Sequence, residues 1–303
     1  MNMKSIVHHI TAILLTAAAL CCSCSRSALE HNRGVVVSAV FSDTEDLGTQ
    51  VSDLQLQFYN SSTGELALQS SFESAQELSL KIFSLPKGEY TVVLGANLST
   101  PLSLEGTSSP SNLRYSLEGV SPVQAFSACG DHNIDNPNHL LEIKMDMNRF
   151  LCELAIEIEG APDGLNLTVE AVNASDGFYP ARKGDDGSYG TPSQGLKQSS
   201  LPPISLSSAA SRSQPFILMP TALGREWSLW RVLMTDPGGK TLESYIEAPR
   251  MNPGGRYLIS LEYAEIQSFM HLSPCTIEDW TQGWVYNGVI TDPLVDSNEI
   301  KYK

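Results

Sequence analysis

Apolar and polar residues alternate along most of this chain at a period of two, the signature of strands with one face in a core and the other in water. Val35, Val37, Ala39 and Phe41 alternate with Val36, Ser38 and Val40, and Leu54, Leu56 and Phe58 with Asp53, Gln55 and Gln57. Leu78, Leu80 and Ile82 predict a third strand. Tyr90, Val92 and Leu94 predict a fourth, introduced by the turn Pro86-Lys87-Gly88. A polar stretch from Thr107 to Asn112 separates these from Tyr115 to Val120 and Leu141 to Met147. Together these elements suffice for one sandwich.

The most regular strand opens a second unit. From Phe150 to Glu159 the even positions are apolar and the odd ones mostly acidic or small, which turns Cys152 toward a core. Leu165, Leu167, Val169 and Ala171 follow, and the Gly-, Ser- and Pro-rich stretch from Asp176 to Pro203 reads as a long loop or pair of loops. Phe216 to Met219, Trp227 to Met234, Thr241 to Ile246 and Tyr257 to Tyr263 supply further strands, punctuated by Pro237-Gly238-Gly239 and Pro253-Gly254-Gly255. Helical periodicity is sustained nowhere after the N-terminus. Strands at this spacing without alternating helices predict an all-β chain of antiparallel sandwiches.

The N-terminus changes the picture from a domain to an exported one. Lys4, His8 and His9 precede an apolar run from Ile10 to Leu20, followed by Leu20-Cys21-Cys22-Ser23-Cys24-Ser25. Eleven residues are too few to cross a bilayer but suit a cleaved signal. Ser23 is the small residue that a lipoprotein signal peptidase favours before a modified cysteine, so Cys24 is the expected lipidation site and residues 1–23 the signal. A fully acylated cysteine makes a firm tether, where a single chain holds only marginally.

Charge and cysteine content narrow the partners. Nineteen Lys and Arg against 34 Asp and Glu give a net charge of −15. A surface this acidic argues against nucleic acid and anionic headgroups. After Cys24 come only Cys129, Cys152 and Cys275, which allow one pair and one buried thiol but no cystine framework. No nucleophile elbow, zinc helix, phosphate loop or Cys-x-x-Cys motif is present, so an enzyme is not expected and no cofactor is implied. The sharpest spacing is Asp131, Asn133, Asp135 and Glu142, at positions 1, 3, 5 and 12 of a calcium loop whose sixth position is Asn136 instead of glycine. His132 and His139 with Cys129 are a zinc alternative that lacks a fourth ligand. Trp227 and Trp230, three apart on a strand, point to opposite faces, and an exposed tryptophan can stack on sugar rings.

Several motifs carry a resemblance. Pro274-Cys275-Thr276-Ile277-Glu278-Asp279-Trp280-Thr281-Gln282-Gly283 follows the strand Gly255 to Leu261; Asn148-Arg149-Phe150-Leu151-Cys152-Glu153-Leu154 opens the second unit; and Lys87-Gly88-Glu89-Tyr90-Thr91-Val92 makes a turn and strand. With the lipobox and the length, the chain resembles the FimB/Mfa-type fimbrillin-associated anchor lipoproteins, the membrane-end subunits of Bacteroidetes-type fimbriae. The resemblance implies two tandem transthyretin-like (Ig-like Greek-key) β-sandwiches, at residues 35–148 and 149–287 after a lipidated linker at 24–34. It also implies outer-membrane, surface-exposed localisation and stalk fimbrillin subunits as partners. In related stalk subunits, cleavage after an arginine removes the first strand and a neighbour's strand fills the groove. Here no arginine lies between Arg33 and Arg114, so cleavage at Arg26 or Arg33 would sever the lipid and leave Val35 to Phe41 in place. Such a subunit ends a fibre rather than extending it. The tail, residues 288–303, is expected to pair with the lowest stalk subunit, with Pro293 limiting that strand. Alternative readings are a glycan-capturing surface lipoprotein acting through Trp227 or Trp230, and a tip or accessory adhesin of the same superfamily.

Overall fold

The structure, a computed structural model, describes residues 33–41, 51–209, 211–263 and 290–291. The first half comprises β1 (Gly34–Phe41), β2 (Leu54–Asn60), β3 (Leu66–Phe72), a short helix α1 (Ala75–Leu80), β4 (Ile82–Phe83), β5 (Gly88–Ala96), β6 (Leu102–Glu105), β7 (Arg114–Leu117), β8 (Phe126–Ile134) and β9 (Leu140–Arg149). The second comprises β10 (Cys152–Glu159), β11 (Leu165–Ser175), β12 (Phe178–Lys183), β13 (Tyr189–Pro192), β14 (Leu196–Ser200), β15 (Ile204–Leu206), β16 (Phe216–Leu218), β17 (Trp227–Thr235), β18 (Thr241–Pro249), β19 (Arg256–Glu262) and β20 (Ile290–Thr291). The chain is all-β, with several sheets and one six-residue helix among the described residues.

In the first half a seven-stranded sheet runs β3-β2-β5-β8-β9-β1-β4. β8 and β9 pair only at Phe126 with Arg149 and Ser127 with Asn148, so the sheet divides there into two layers that share one core. Leu54, Leu56 and Phe58 from one layer meet Val35, Val37 and Ile143 from the other, all nearly or fully buried. Each such side chain contributes roughly 1.5–3 kcal/mol by leaving water. In the second half β16-β10-β19 and β14-β11-β17-β18-β20 enclose a second core around Trp230, Leu154, Ile156 and Val169. β17 keeps an unbroken alternation of buried and less buried positions from Trp227 to Thr235, as its sequence predicts.

Three expectations are corrected. Leu78, Leu80 and Ile82 do not form one strand: Ser74 caps α1 by accepting a hydrogen bond from the Glu77 amide, the Glu77 carboxylate accepts one from the Glu73 amide, and the strand resumes only at Ile82. Leu78 is consequently buried while Leu80 is 76% exposed. The stretch from Asp176 to Pro203 is no long loop; it carries β12, β13 and β14. The pairing is also not wholly antiparallel, since β1 lies parallel to β9 and β10 parallel to β19.

A four-stranded sheet, β13-β12-β7-β6, draws strands from both halves. Its junction is one pair, Phe178 with Tyr115, around which Tyr115, Phe150 and Phe178 pack with centroids 4.9–6.5 Å apart. Arg114 pairs with the Asp176 carboxylate at 3.2 Å, and the Lys197 ammonium donates to the Leu117 carbonyl at 3.0 Å and the Glu118 carboxylate at 2.7 Å.

The helix makes a discriminating pair of substitutions. Leu78→Ala is expected to lower unfolding stability by about 2–5 kcal/mol and Leu80→Ala by less than about 0.5 kcal/mol in urea denaturation. A strand with both residues on one face would give similar losses.

Candidate functional site

The first strand is the feature around which the N-terminal half closes. β1 pairs with β9 along its whole length, from Gly34 opposite Leu140 to Phe41 opposite Met147, and with β4 on its other side at Val35 and Val36 only. Val35 and Val37 are fully buried, and Phe41 sets its ring edge-on to Phe126 with centroids 5.3 Å apart. Gly34 enters the slot with φ +125, a conformation that disfavours other residues. A Cβ there would lie 2.5 Å from the Phe83 carbonyl oxygen. Arg33, immediately before it, is exposed.

Cys24 and Arg26 lie outside the described residues, as do Cys275 and the motif around it. Of the tail, Ile290 and Thr291 pair antiparallel with Ile246 and Tyr245 of β18, an edge of this chain itself.

The calcium-loop spacing does not gather into a ligand shell. Asp131 and Asn133 stand on the extended β8 ladder opposite Thr91 and Glu89, Asp135 follows in the connection, and Glu142 lies on β9. A calcium loop must curl its ligands around one point, which an extended ladder prevents. Asn133 instead donates its side-chain amide to Asp135, and Asp131 is taken up by a cluster that spans the two halves. Its carboxylate accepts from the Tyr189 hydroxyl at 2.6 Å, the Thr91 hydroxyl at 2.9 Å and the Lys183 ammonium at 3.4 Å. Burial alone would raise the Asp131 pKa, but these donors together hold it below the ordinary carboxylate range. Among the described residues no group of three or more His, Cys, Asp and Glu side chains is placed to hold a metal.

Cys129, two residues before Asp131 on β8, lies opposite Val93 and is partly covered. Burial, with the Asp131 charge second, pushes its thiol pKa well up, so it is a poor nucleophile and a poor zinc ligand. His132 is held below its usual pKa by burial, against the opposing pull of Asp131. Cys152 is fully buried, as its sequence position predicts, and donates its S–H to the Asn252 carbonyl at 3.0 Å. Both are free thiols.

The two tryptophans separate as their spacing predicts: Trp230 is fully buried and Trp227 is 48% exposed. Further along the outer face of β17, Arg231 donates to Glu170 at 3.0 Å and Glu243 at 2.7 Å, and Gln198 donates to Glu170 at 2.6 Å. Hydrogen bonding to Arg231 is the main cause that lowers the Glu170 pKa. Besides the strands between Asp176 and Pro203, the sequence reading missed β3, β6, β8, β15 and the Asp131 cluster. The alternation of Leu66 and Leu68 with Ala67 and Gln69 is the signal that would have found the first.

No family model matches the chain, and no curated protein matches it by sequence. Solved structures do share its fold. The fimbrial anchor protein Mfa2 from Porphyromonas gingivalis is 13% identical over 84% of this chain and 98% of its own, with a TM-score of 0.56. A protein provisionally assigned as an adhesin, from Bacteroides ovatus, is 12% identical over 82% of this chain and 94% of its own, at 0.54. One provisionally assigned to polysaccharide binding, from Bacteroides thetaiotaomicron, is 13% identical over 76% of this chain and 92% of its own, at 0.53. At this identity the likeness establishes the fold.

Because the Asp131 carboxyl has a depressed pKa, its contribution to stability is complete above the ordinary carboxylate pKa of about 4 and fades as the pH falls through the lowered value. Asp131→Asn is therefore expected to cost about 1 kcal/mol at pH 7, a modest figure for a half-exposed group, with the gap from the parent chain closing below about pH 4 in urea titrations.

Proposed function

We propose that this chain is a non-enzymatic outer-membrane lipoprotein that anchors a fimbria and terminates its assembly through β-strand pairing with a stalk fimbrillin. In this reading residues 35–148 and 149–287 are tandem transthyretin-like sandwiches, and a lipid on Cys24 holds them at the cell surface. The observation that carries the proposal is the filled first slot. β1 pairs along all of β9 with Val35 and Val37 fully buried, and no arginine between Arg33 and Arg114 offers a cut that would excise it. A subunit whose groove stays closed by its own strand cannot take a neighbour's strand there, so it ends a fibre. The fold shared with the anchor protein of Porphyromonas gingivalis and with the adhesin-assigned protein of Bacteroides ovatus supports a fimbrial or adhesin role, within which the closed slot favours the anchor. The tail from residue 288 onward is the segment offered to the stalk, and its Ile290 and Thr291 would leave or prolong their ladder on β18 in doing so.

Intact-mass analysis of the mature chain from membranes tests this reading. The expected mass is that of an acylated chain beginning at Cys24, and arginine-specific digestion of the folded protein should yield an N-terminal fragment that starts at Gly34 and keeps Val35 to Phe41, whatever cuts occur at exposed Arg182 and Arg225. An unacylated mature chain beginning beyond Phe41 would refute it.

A second reading rests on Trp227, which is 48% exposed on the same strand as Arg231, itself paired with Glu170 of β11, an arrangement suited to stacking on a sugar ring. Glycan capture predicts array binding that falls at least tenfold in Trp227→Ala; the anchor reading predicts no such binding.

A further inference from the structure

The strands that end a sheet differ sharply in how they protect their open edges. Natural edge strands are kept short or carry charge, proline or glycine kinks, because a bare row of backbone N–H and C=O groups invites another strand. β4 and β20 have two residues each and β16 has three; β13 has four, with Gly190 and Pro192; β6 has four, with Glu105; β14 carries Lys197; and β19 carries Arg256 and Glu262. β3 is the exception among the described strands. Its seven residues, Leu66-Ala67-Leu68-Gln69-Ser70-Ser71-Phe72, include no charge, proline or glycine, and it pairs with β2 alone; its one irregularity is a bulge at Ala67, where Phe58 opposes Leu68 and Tyr59 opposes Leu66. From Leu68 to Phe72 the ladder is regular, and at about 3.4 Å per residue that edge runs some 17 Å, the length of an ordinary strand.

At the Phe72 end this edge opens into a cleft of 670 Å³ lined by Ser52, Asp53, Ser71, Phe72, Glu73, Glu77 and Ser99. Three carboxylates and no cation line it. The Asp53 carboxylate accepts from Ser99 at 2.6 Å and Gln55 at 2.9 Å, and Glu77 accepts from the Glu73 amide, which fixes two of the three negative groups in place. The chain's own connection between β1 and β2 carries Asp43, Glu45 and Asp46 and no Lys or Arg, so its charge is wrong for this cleft, and the net charge of −15 works against a second copy.

We propose that the β3 edge is a docking site for an extended segment of a partner protein, which pairs with Leu66–Phe72 as an added strand and sets a Lys or Arg into the cleft of Asp53, Glu73 and Glu77. Main-chain pairing supplies the attachment and the cleft selects for a basic end. The site is separate from the β1 slot and does not depend on the anchoring role, because a chain that caps no fibre would still take up such a strand.

The test uses the full chain in detergent with two labelled eight-residue peptides of alternating valine and threonine, one with lysine at both ends and one with glutamate. The lysine peptide is expected to slow amide exchange at residues 66–72 and to bind about tenfold tighter than the glutamate peptide. Glu73→Gln with Glu77→Gln should abolish most of that preference while β3 remains the protected segment. Protection elsewhere or nowhere, or equal affinity for the two peptides, would overturn the proposal. So would β3 protection that needs no peptide, rises with protein concentration and vanishes on deleting Ile300 to Lys303, for the occupant would then be a second copy of this chain. None of these failures bears on whether β1 stays in its slot or Cys24 is acylated.

Discussion

The parallel ladder between β1 and β9 is the constraint on which the N-terminal half depends. Strands adjacent in sequence could have closed this sheet by hairpins; instead the first strand lies between β9, parallel to it, and the two residues of β4. It brings Val35, Val37 and Phe41 into a core that β2, β5 and β9 cannot fill alone. Its removal would leave a vacant row of main-chain groups along β9 and a groove lined by Phe83, Ile143 and Met145, an open site for a foreign strand. The proposed terminal role turns on whether that strand stays in place.

The halves meet in a shared sheet and an aromatic cluster. Tyr115, Phe150 and Phe178 pack together where β7 meets β12, and charged contacts flank them: Arg114 with Asp176, Lys197 with Glu118, and Asp131 with Lys183 and Tyr189. The aromatic packing supplies most of the cohesion, because exposed ion pairs contribute little singly and such clusters chiefly fix orientation.

Strands with long apolar-polar alternation were legible, while β3, whose covered face carries Leu66, Leu68 and Ser70, was not. β10 follows its sequence alternation except at Ala155, which is buried; β17 alternates in burial throughout with Ser228 on the inner face, and the opposite fates of Trp227 and Trp230 follow from a spacing of three. The helix was misread because Leu78, Leu80 and Ile82 mimic a strand, although Ser74-Ala75-Gln76-Glu77 is a capping signal that sets a helix start. β12 to β14 were hidden by glycine, serine and proline, whose turn preferences mask short strands stabilised by packing across the two halves. The parallel order of β1 and β9 had no local signal, because strand partners far apart in sequence are fixed by the whole fold. Likewise the acidic spacing from Asp131 to Glu142 matched a calcium loop locally, while tertiary pairing drew it into a ladder.

A disulfide lock measures the persistence of β1 directly. Val37 and Ile143 stand in register on β1 and β9, so Val37→Cys with Ile143→Cys can be oxidised to fasten the strand in its slot. The locked protein is expected to hold fibres at the cell surface as well as the reduced one. Fibre attachment that appears only after reduction would mean that β1 leaves its slot during assembly, and would contradict a closed terminal subunit.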